Sequence, residues 1–530
     1  MMTKQLKPDY CIVGGGIAGL LLASRLVRSG HEVLILDQGP DVTEQDRAAL
    51  LEKSRNNFLN YSLDYNSHLK EDIVTPTSGA AADRLFGIGG TALHFEGFMI
   101  RPVEADHQVR TRFGYSRDWP VSYQELEPWL FAAEQETGVT GNQDNEYAAP
   151  RANPFPMKGH DFSWFDKEFF GPALEKIGMK GHSCPRAVAS RVYQYQDYPV
   201  RQPCGGCRFC KFCPTGARYS PDRVHGAWLK TQPNATIRNG VSLRRLELSA
   251  DGSRIVAAHA KEVNGGKDVV VTAQHFVLAT GGIATPRMLL LSKGTGVHAQ
   301  GIGNAGGQIG VGYSGHTYNY IQLELGRHAG GRLGFETMSC EYGREHVDRS
   351  KESSWFLVGM PSSPYTSGGD LVLPWAMDGD QLSLDRMRQA LPRIADLTIF
   401  NELSGTGTID LDPEQKDVFG DPVARIHMPL TDWDRTADSR AIELGARLGE
   451  HMGAVNSTIS DSVVFHEHPS GATAMGTSPD DGVCDTDLKV FGVDNLFLVG
   501  NSVFPHMGAN PPTLTIAALA LRLAAHLGGK

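Results

Sequence analysis

The sequence predicts an α/β fold: an open parallel sheet joined to a second domain built on an antiparallel sheet. Three observations carry this. The apolar segment Tyr10–Val13 runs into Gly14-Gly15-Gly16-Ile17-Ala18-Gly19, an apolar run halted at Gly30 follows, and a second strand, Glu32–Leu36, closes at Asp37. Two later strand-to-glycine elements, Phe276–Gly282 and Leu496–Gly500, can return the chain to that first sheet. Between them, residues 311–430 alternate short strand-like segments (Tyr318–Leu325, Trp355–Val358, Thr406–Leu411) with loops, as an antiparallel sheet does.

The first element is G-x-G-x-x-G in the context it requires, with a strand before it, a helix after it and an acidic residue ending the next strand. Gly14 permits the tight turn, Gly16 lets backbone approach a pyrophosphate, and Gly19 lets helix and strand pack closely. The helix N-terminus stabilises phosphate charge, and Asp37 can accept hydrogen bonds from ribose hydroxyls. This predicts a Rossmann-like, dinucleotide-binding start.

A polar, helix-compatible segment spans 41–69. It is followed by Phe86-Gly-Ile-Gly-Gly-Thr-Ala-Leu-His94-Phe-Glu-Gly97, whose Gly90 and Thr91 suit a loop lying against a flat cofactor. Ser122 opens a helix that Gly138 stops. Residues 142–200, rich in Pro, Tyr, Gln and Asn, read as excursions over the surface. Thr285-Pro286 opens another helix. The closing stretch, Phe465–Leu527, holds His468 in a turn-rich segment, then a short strand, then a Gly/Pro loop with His506 and Asn510, then a helix from Thr513.

Four of the eight cysteines stand at Cys204, Cys207, Cys210 and Cys213, with Pro214 next. Thiolates at repeated two-residue spacing can wrap one compact centre, as in iron–sulfur ligation. Structural zinc usually takes two pairs separated by an intervening segment, which is missing here. Disulfides or free thiols remain open, although Cys11, Cys184, Cys340 and Cys484 show no matching framework. The last spacing has two residues where bacterial ferredoxins have three.

The chain has 530 residues, enough for two to four domains, and a net charge of −10 without a basic tract, which argues against nucleic acid or an anionic membrane surface as partner. Its 60 glycines cluster in short motifs rather than repeats. No apolar run reaches the roughly 18 residues of a membrane span. Lys4 and Lys7 precede an apolar run, but Asp9 interrupts its entry and no small-residue cleavage site ends it, so no export signal is expected.

In VGGGIAG…LDQG, GIGGTALHFEGFMIRP, VLATGGIATPRMLL and HPSGATAMG…VDNLFLVGNSVFPHMGANPPTLTIAALALR, the chain resembles the glucose–methanol–choline (GMC) family of FAD-dependent oxidoreductases over nearly its whole length. The resemblance implies five segments. These are 1–120, 231–310 and 461–530 as parts of an FAD-binding domain, 121–230 as a cap or excursion with the cysteines, and 311–460 as a substrate-binding domain. It implies His468 as the active-site histidine and Asn510 as the second catalytic position, with His506 a less favoured second base. Gly14, Gly16, Gly19, Asp37, Gly90, Thr91, Val241, Asn501, Pro511 and Thr513 would contact non-covalent FAD, Asn501 standing where the family usually has Asp. His94 lies in the loop where some relatives attach FAD covalently.

Within the family, the cysteines resemble those of bacterial sugar dehydrogenases, in particular glucoside 3-dehydrogenases. That implies a 4Fe–4S or 3Fe–4S cluster, a sugar or glycoside substrate oxidised at C3, a small partner subunit and a cytochrome-type acceptor. The compartment would be periplasmic by export with that partner, or cytoplasmic. Pyranose and C-glycoside 3-oxidases, which use O₂ and make H₂O₂, are the alternative. Tyr, Trp, Gln and Asn in 190–200 and 311–430 suit stacking on pyranose faces and bonding hydroxyls.

Overall fold

The computed structural model describes residues 8–56, 73–74, 84–207, 210, 213–330, 337–361, 377–378 and 381–528. Tyr10–Val13 is the centre of a five-stranded parallel sheet in the order Leu496–Leu498, His275–Leu278, Tyr10–Val13, Val33–Leu36, Ala235–Arg238. Strands buried on both faces read as unbroken apolar runs, and YCIV and VLIL are buried throughout. The helix Ile17–Arg28 and the closing helix Thr513–His526 pack against each other, and Tyr123–Thr137 packs on the latter. Both ends of the chain thus share one core, tied at its rim by Tyr10 Oη donating to the carbonyl of Leu527 at 2.8 Å.

Local signals set several boundaries. Ser122 caps the helix Tyr123–Thr137 through a reciprocal pair, Glu125 N donating to Ser122 Oγ at 3.2 Å and Ser122 N to Glu125 Oε2 at 2.9 Å. Gly138 ends it at φ +61°. The helix expected to open at Thr285 begins earlier, at Gly281, and carries Pro286 within its first turns. The polar helix expected over 41–69 is Glu44–Asn56, and residues 57–69 lie outside the described ones.

The second sheet is a ten-stranded one organised on the long strand Val311–Leu325. On one side that strand pairs with Ile394–Asn401 and Gly407–Lys416, on the other with Ala454–Ile459 and Val463–Ser470, all antiparallel. The expected segments Tyr318–Leu325, Trp355–Val358 and Thr406–Leu411 are the strands Val311–Leu325, Trp355–Pro361 and Gly407–Lys416, each longer than its apolar pattern suggested. Val463–Ser470, which bears His468, belongs to this sheet rather than to the parallel one.

The ladder between Val463–Ser470 and Val311–Leu325 is broken at one place. Ser314 pairs with Ser470 and His316 with Phe465, so two steps on one strand face five on the other. The extra length is a bulge that turns His468 out of the ladder, the usual way a strand re-aims a side chain.

No helix among the described residues is long and apolar enough to cross a membrane. The two sheets meet at Gly282, where a Cβ would stand 2.0 Å from the carbonyl oxygen of Pro469. Gly282→Ala is therefore expected to lower stability by about 1–3 kcal/mol, as overpacking does. Thermal unfolding checks this, and an unchanged midpoint would show that helix and bulge can part freely.

Candidate active site

A cavity of about 520 Å³ lies between the parallel sheet and the long strand of the antiparallel one. Its parallel-sheet end has the geometry of a dinucleotide cradle. Gly14 holds φ +107°, and a Cβ at Gly19 would meet the Gly14 carbonyl oxygen at 2.0 Å, so only glycine lets helix and turn approach this closely. Gly16 is the N-cap of Ile17–Arg28 with no side-chain cap and no acidic residue in the first turn, which leaves that N-terminus fit for a phosphate.

The loop through Gly89 and Gly90 lies over this turn. Gly89 N donates to Gly15 O at 2.7 Å, and a Cβ on Gly90 would stand 3.0 Å from Gly16 Cα. Two backbones without side chains form the slot. Thr91 and His94, on the following 3₁₀ turn Gly90–Leu93 and just past it, also line the cavity.

Asp37 lines the cavity, accepting from Gly15 N at 2.7 Å and Gly39 N at 2.8 Å. Burial raises its pKa against the lowering effect of those two N–H groups. A carboxylate has lone pairs beyond these two, so ribose hydroxyls can still bond it. Val241 lines the cavity with its N–H already given to Asp37 O at 2.8 Å. Asn501, Pro511 and Thr513 line it as well. The crevice is at the carboxyl ends of the parallel strands, where such sheets bind dinucleotides, and its glycine-walled slot fits the ADP half of FAD.

The other end of the cavity is made by the antiparallel sheet, with Tyr318, Tyr320, Val358, Phe400 and Asp396 beside His468. His468 Nδ1 lies 2.9 Å from His316 Nδ1 and 3.1 Å from Tyr318 Oη. Among the described residues Nε2 of His468 has no hydrogen-bond partner. Burial first, and the neighbouring His316 second, hold His468 well below the usual imidazole range. It is therefore a neutral imidazole near pH 7, able to accept a proton.

Asn510 is not brought into this cavity. It lines a separate pocket of about 30 Å³ with Asp106, His107 and His506. Its Nδ2 donates to the carbonyl of Arg101 at 2.9 Å, and its Oδ1 is buried without a partner among the described residues. Arg344 Nη2 donates to the same carbonyl at 2.9 Å, and Arg101 is itself held by Glu127 and Glu134. Asn510 Nδ2 is thereby engaged with an anchored acceptor. His506 lines the same small pocket, with Nε2 2.6 Å from Glu402 Oε1 and Nδ1 3.0 Å from Ser116 Oγ.

The residue that sequence reasoning missed is His316. A single histidine inside a strand reads as core, and it is fully buried, but its ring stands directly behind His468. Tyr318 was visible only as an aromatic in a strand.

Among the described residues Cys204, Cys207, Cys210 and Cys213 form no disulfide, and residues 208–209 and 211–212 between them lie outside the described ones. Among the described residues no three His, Cys, Asp or Glu side chains are drawn together to hold a metal ion. The loop's setting is cationic. Cys213 Sγ accepts from Arg218 N at 3.2 Å, and Cys204 Sγ from Gly206 N at 3.4 Å. Arg201 is buried on the carbonyls of Ala187, Ala217, Thr137 and Gly138, and burial pushes it down to about 10. Arg218 Nε donates to Cys210 O at 2.6 Å, while its Nη1 and Nη2 donate to Ala92 O and Leu93 O at 2.8 Å each. One guanidinium thus spans from the cysteine loop to the turn that lines the cavity.

Comparison with known proteins agrees with this architecture. Residues 176–317 and 404–520 match GMC oxidoreductase family models, and residues 12–68 match an NAD(P)-binding Rossmann-like domain. The fructose dehydrogenase large subunit of Gluconobacter japonicus is 28% identical over 99% of this chain and 98% of its own. A C-glycoside 3-oxidase of Arthrobacter globiformis is 28% identical over 48% of this chain and 46% of its own. The crystal structure of pyridoxine 4-oxidase from Mesorbium loti superposes with a TM-score of 0.68 at 19% identity, covering 98% of this chain and 99% of that one, a likeness of fold. With a glycine cradle at one end of its cavity, a half-buried histidine at the other and these matches along its length, the chain belongs to the GMC oxidoreductase family.

Proposed function

We propose that this oxidoreductase removes two electrons and two protons' worth of hydrogen from a secondary hydroxyl of a sugar or glycoside, at C3, giving a 3-keto product. The observation that carries the reading is that His468 lines the same cavity as the Gly14–Gly19 turn. The choice of a sugar is supported by the similarity to the fructose dehydrogenase large subunit, and the choice of C3 by the partial similarity to C-glycoside 3-oxidase. Bound non-covalently, FAD would supply the hydride acceptor.

The chain's own residues do the rest. Nε2 of His468 takes the hydroxyl proton while the hydride leaves the same carbon, so the C–H and O–H bonds break and a C=O forms. Because the histidine is held below its usual range, it stays competent through neutral pH, and the rate falls only as pH descends through that depressed value. Tyr318, Tyr320 and Phe400 offer rings to a pyranose face and exclude water from the reacting carbon. Asp396 and Thr398 give polar groups for hydroxyls.

We further propose that Cys204, Cys207, Cys210 and Cys213 hold an iron–sulfur cluster, 4Fe–4S or 3Fe–4S. It would supply one-electron transfer toward a protein acceptor, a cytochrome-type one reached with a small partner subunit. Support comes from the spacing, from the backbone N–H groups aimed at two of the sulfurs, and from buried arginines that offset the charge of an anionic centre. The fructose dehydrogenase relative is named as a large subunit, which is consistent with a partner. The alternative is an oxidase that reduces O₂ to H₂O₂, favoured by the oxidase names among the relatives.

A screen of sugars and glycosides for anaerobic bleaching of the flavin tests the reaction, and no bleaching by any of them ends the reading. One equivalent of H₂O₂ per turnover in air selects the oxidase. His468→Ala is expected to keep FAD but slow its reduction by about 10²-fold or more; near-normal reduction removes His468 from the role. Anaerobically purified protein is expected to contain iron and to absorb broadly beyond the flavin bands. Cys204→Ser with Cys213→Ser should lose both signals and keep FAD, and an iron-free wild type defeats the cluster.

A further inference from the structure

The arrangement behind His468 determines which of its nitrogens carries hydrogen. His316 is fully buried and does not line the cavity. Its Nε2 lies 2.8 Å from the carbonyl oxygen of Gly508. A carbonyl only accepts, so this nitrogen bears the hydrogen. Neutral His316 then has a bare Nδ1. That atom stands 2.9 Å from His468 Nδ1, where two bare nitrogens repel and one N–H···N bond is satisfied. The hydrogen must come from His468 Nδ1, and neutral His468 is left with a bare Nε2. Tyr318 Oη, at 3.1 Å, sits as a second acceptor for the same N–H.

A doubly protonated His316 would reverse this polarity, donating from Nδ1 to His468 while Nε2 stays on the Gly508 carbonyl. Burial opposes it, pushing His316 down to about 4. The other charged or titratable groups that act on the pair are Glu402 and His506, both of which His316 senses, and Tyr318. Asp106 packs against Gly508, where a Cβ would meet its Oδ1 at 2.7 Å. Glu402 and Asp106 are each committed to Arg349, so neither is available to take the hydrogen of His316.

We propose that His316, hung on the Gly508 carbonyl, is a positioning residue that fixes His468 in its Nδ1–H tautomer and so keeps Nε2 bare for the substrate's hydroxyl proton. The proposal rests on His468 being the base. When Nε2 takes the proton, the bond from Nδ1–H to His316 persists and becomes charge-assisted. His316 thus sets the orientation and tautomer of the base without touching substrate.

The tautomer is read directly in FAD-loaded enzyme labelled with ¹⁵N-histidine, His468 being assigned by the loss of its signals in His468→Ala. The long-range ¹H–¹⁵N pattern is expected to show a protonated Nδ1 and a bare Nε2, and a protonated Nε2 overturns the proposal. This measurement needs no substrate. Failure of every sugar to bleach the flavin would therefore sink the proposed reaction and leave the tautomer result standing.

The second arm follows anaerobic flavin reduction by D-fructose or methyl α-D-glucopyranoside. His316→Phe fills the space without an acceptor and is expected to slow reduction by about 10-fold or more. His316→Asn, whose Oδ1 can accept from His468 and whose N–H can reach toward Gly508, is expected to stay within about 3-fold. A His316→Phe enzyme with the wild-type rate overturns the proposal.

Discussion

Where the helix Gly281–Leu291 leaves the parallel sheet, its second residue faces the carbonyl of Pro469 with no room for even a methyl group. That backbone-on-backbone contact couples the half of the molecule that grips a dinucleotide to the half that carries the histidine. Neither partner is a flexible side chain, so neither can yield cheaply. From the other side, the bulge bearing His468 is held by Val311–Leu325, a strand that is itself paired along both edges. The reacting groups are thus placed by main chain, and their side chains add only the final orientation.

Beneath the 506–510 loop runs a chain of buried charge. Arg349 bridges Glu402 and Asp106, and Arg344 reaches Glu341, which meets His182. Burial alone would raise Glu402, but Arg349 and His506 hold it well below the usual carboxylate range. Removing one partner from such a set leaves an uncompensated charge in the interior, so the members are tied to one another. This explains why His506, for all its position in a motif-rich loop, is spent on structure. It also gives Gly508 a fixed carbonyl and Asn510 an acceptor on Arg101.

What could be read from the chain alone was what local physics controls. Gly14, Gly16 and Gly19 announce their turn, Ser122 and Gly138 bracket their helix, and Thr513 opens the closing helix, because each signal acts within a few residues. The place of His468 beside the glycine turn was legible as family pattern. Its partner was not, because His316 lies 152 residues away and meets it only through strand register. The direction of the Asn510 side chain is set by a carbonyl 409 residues distant, which no spacing encodes. The cysteine run sits between these cases. Its spacing can be counted, but the positions of four sulfurs depend on loop geometry and on arginines contributed from beyond the run.

Arg218 joins two regions that the chain keeps far apart, with one plane of nitrogens shared between Cys210 O and the carbonyls of Ala92 and Leu93. The guanidinium is buried and rigid, so it works as a strut more than as a charge. Oxidative injury to the cysteine loop would not stay in that loop. It would be transmitted through a single side chain to the Ala92–Leu93 turn that walls the cavity.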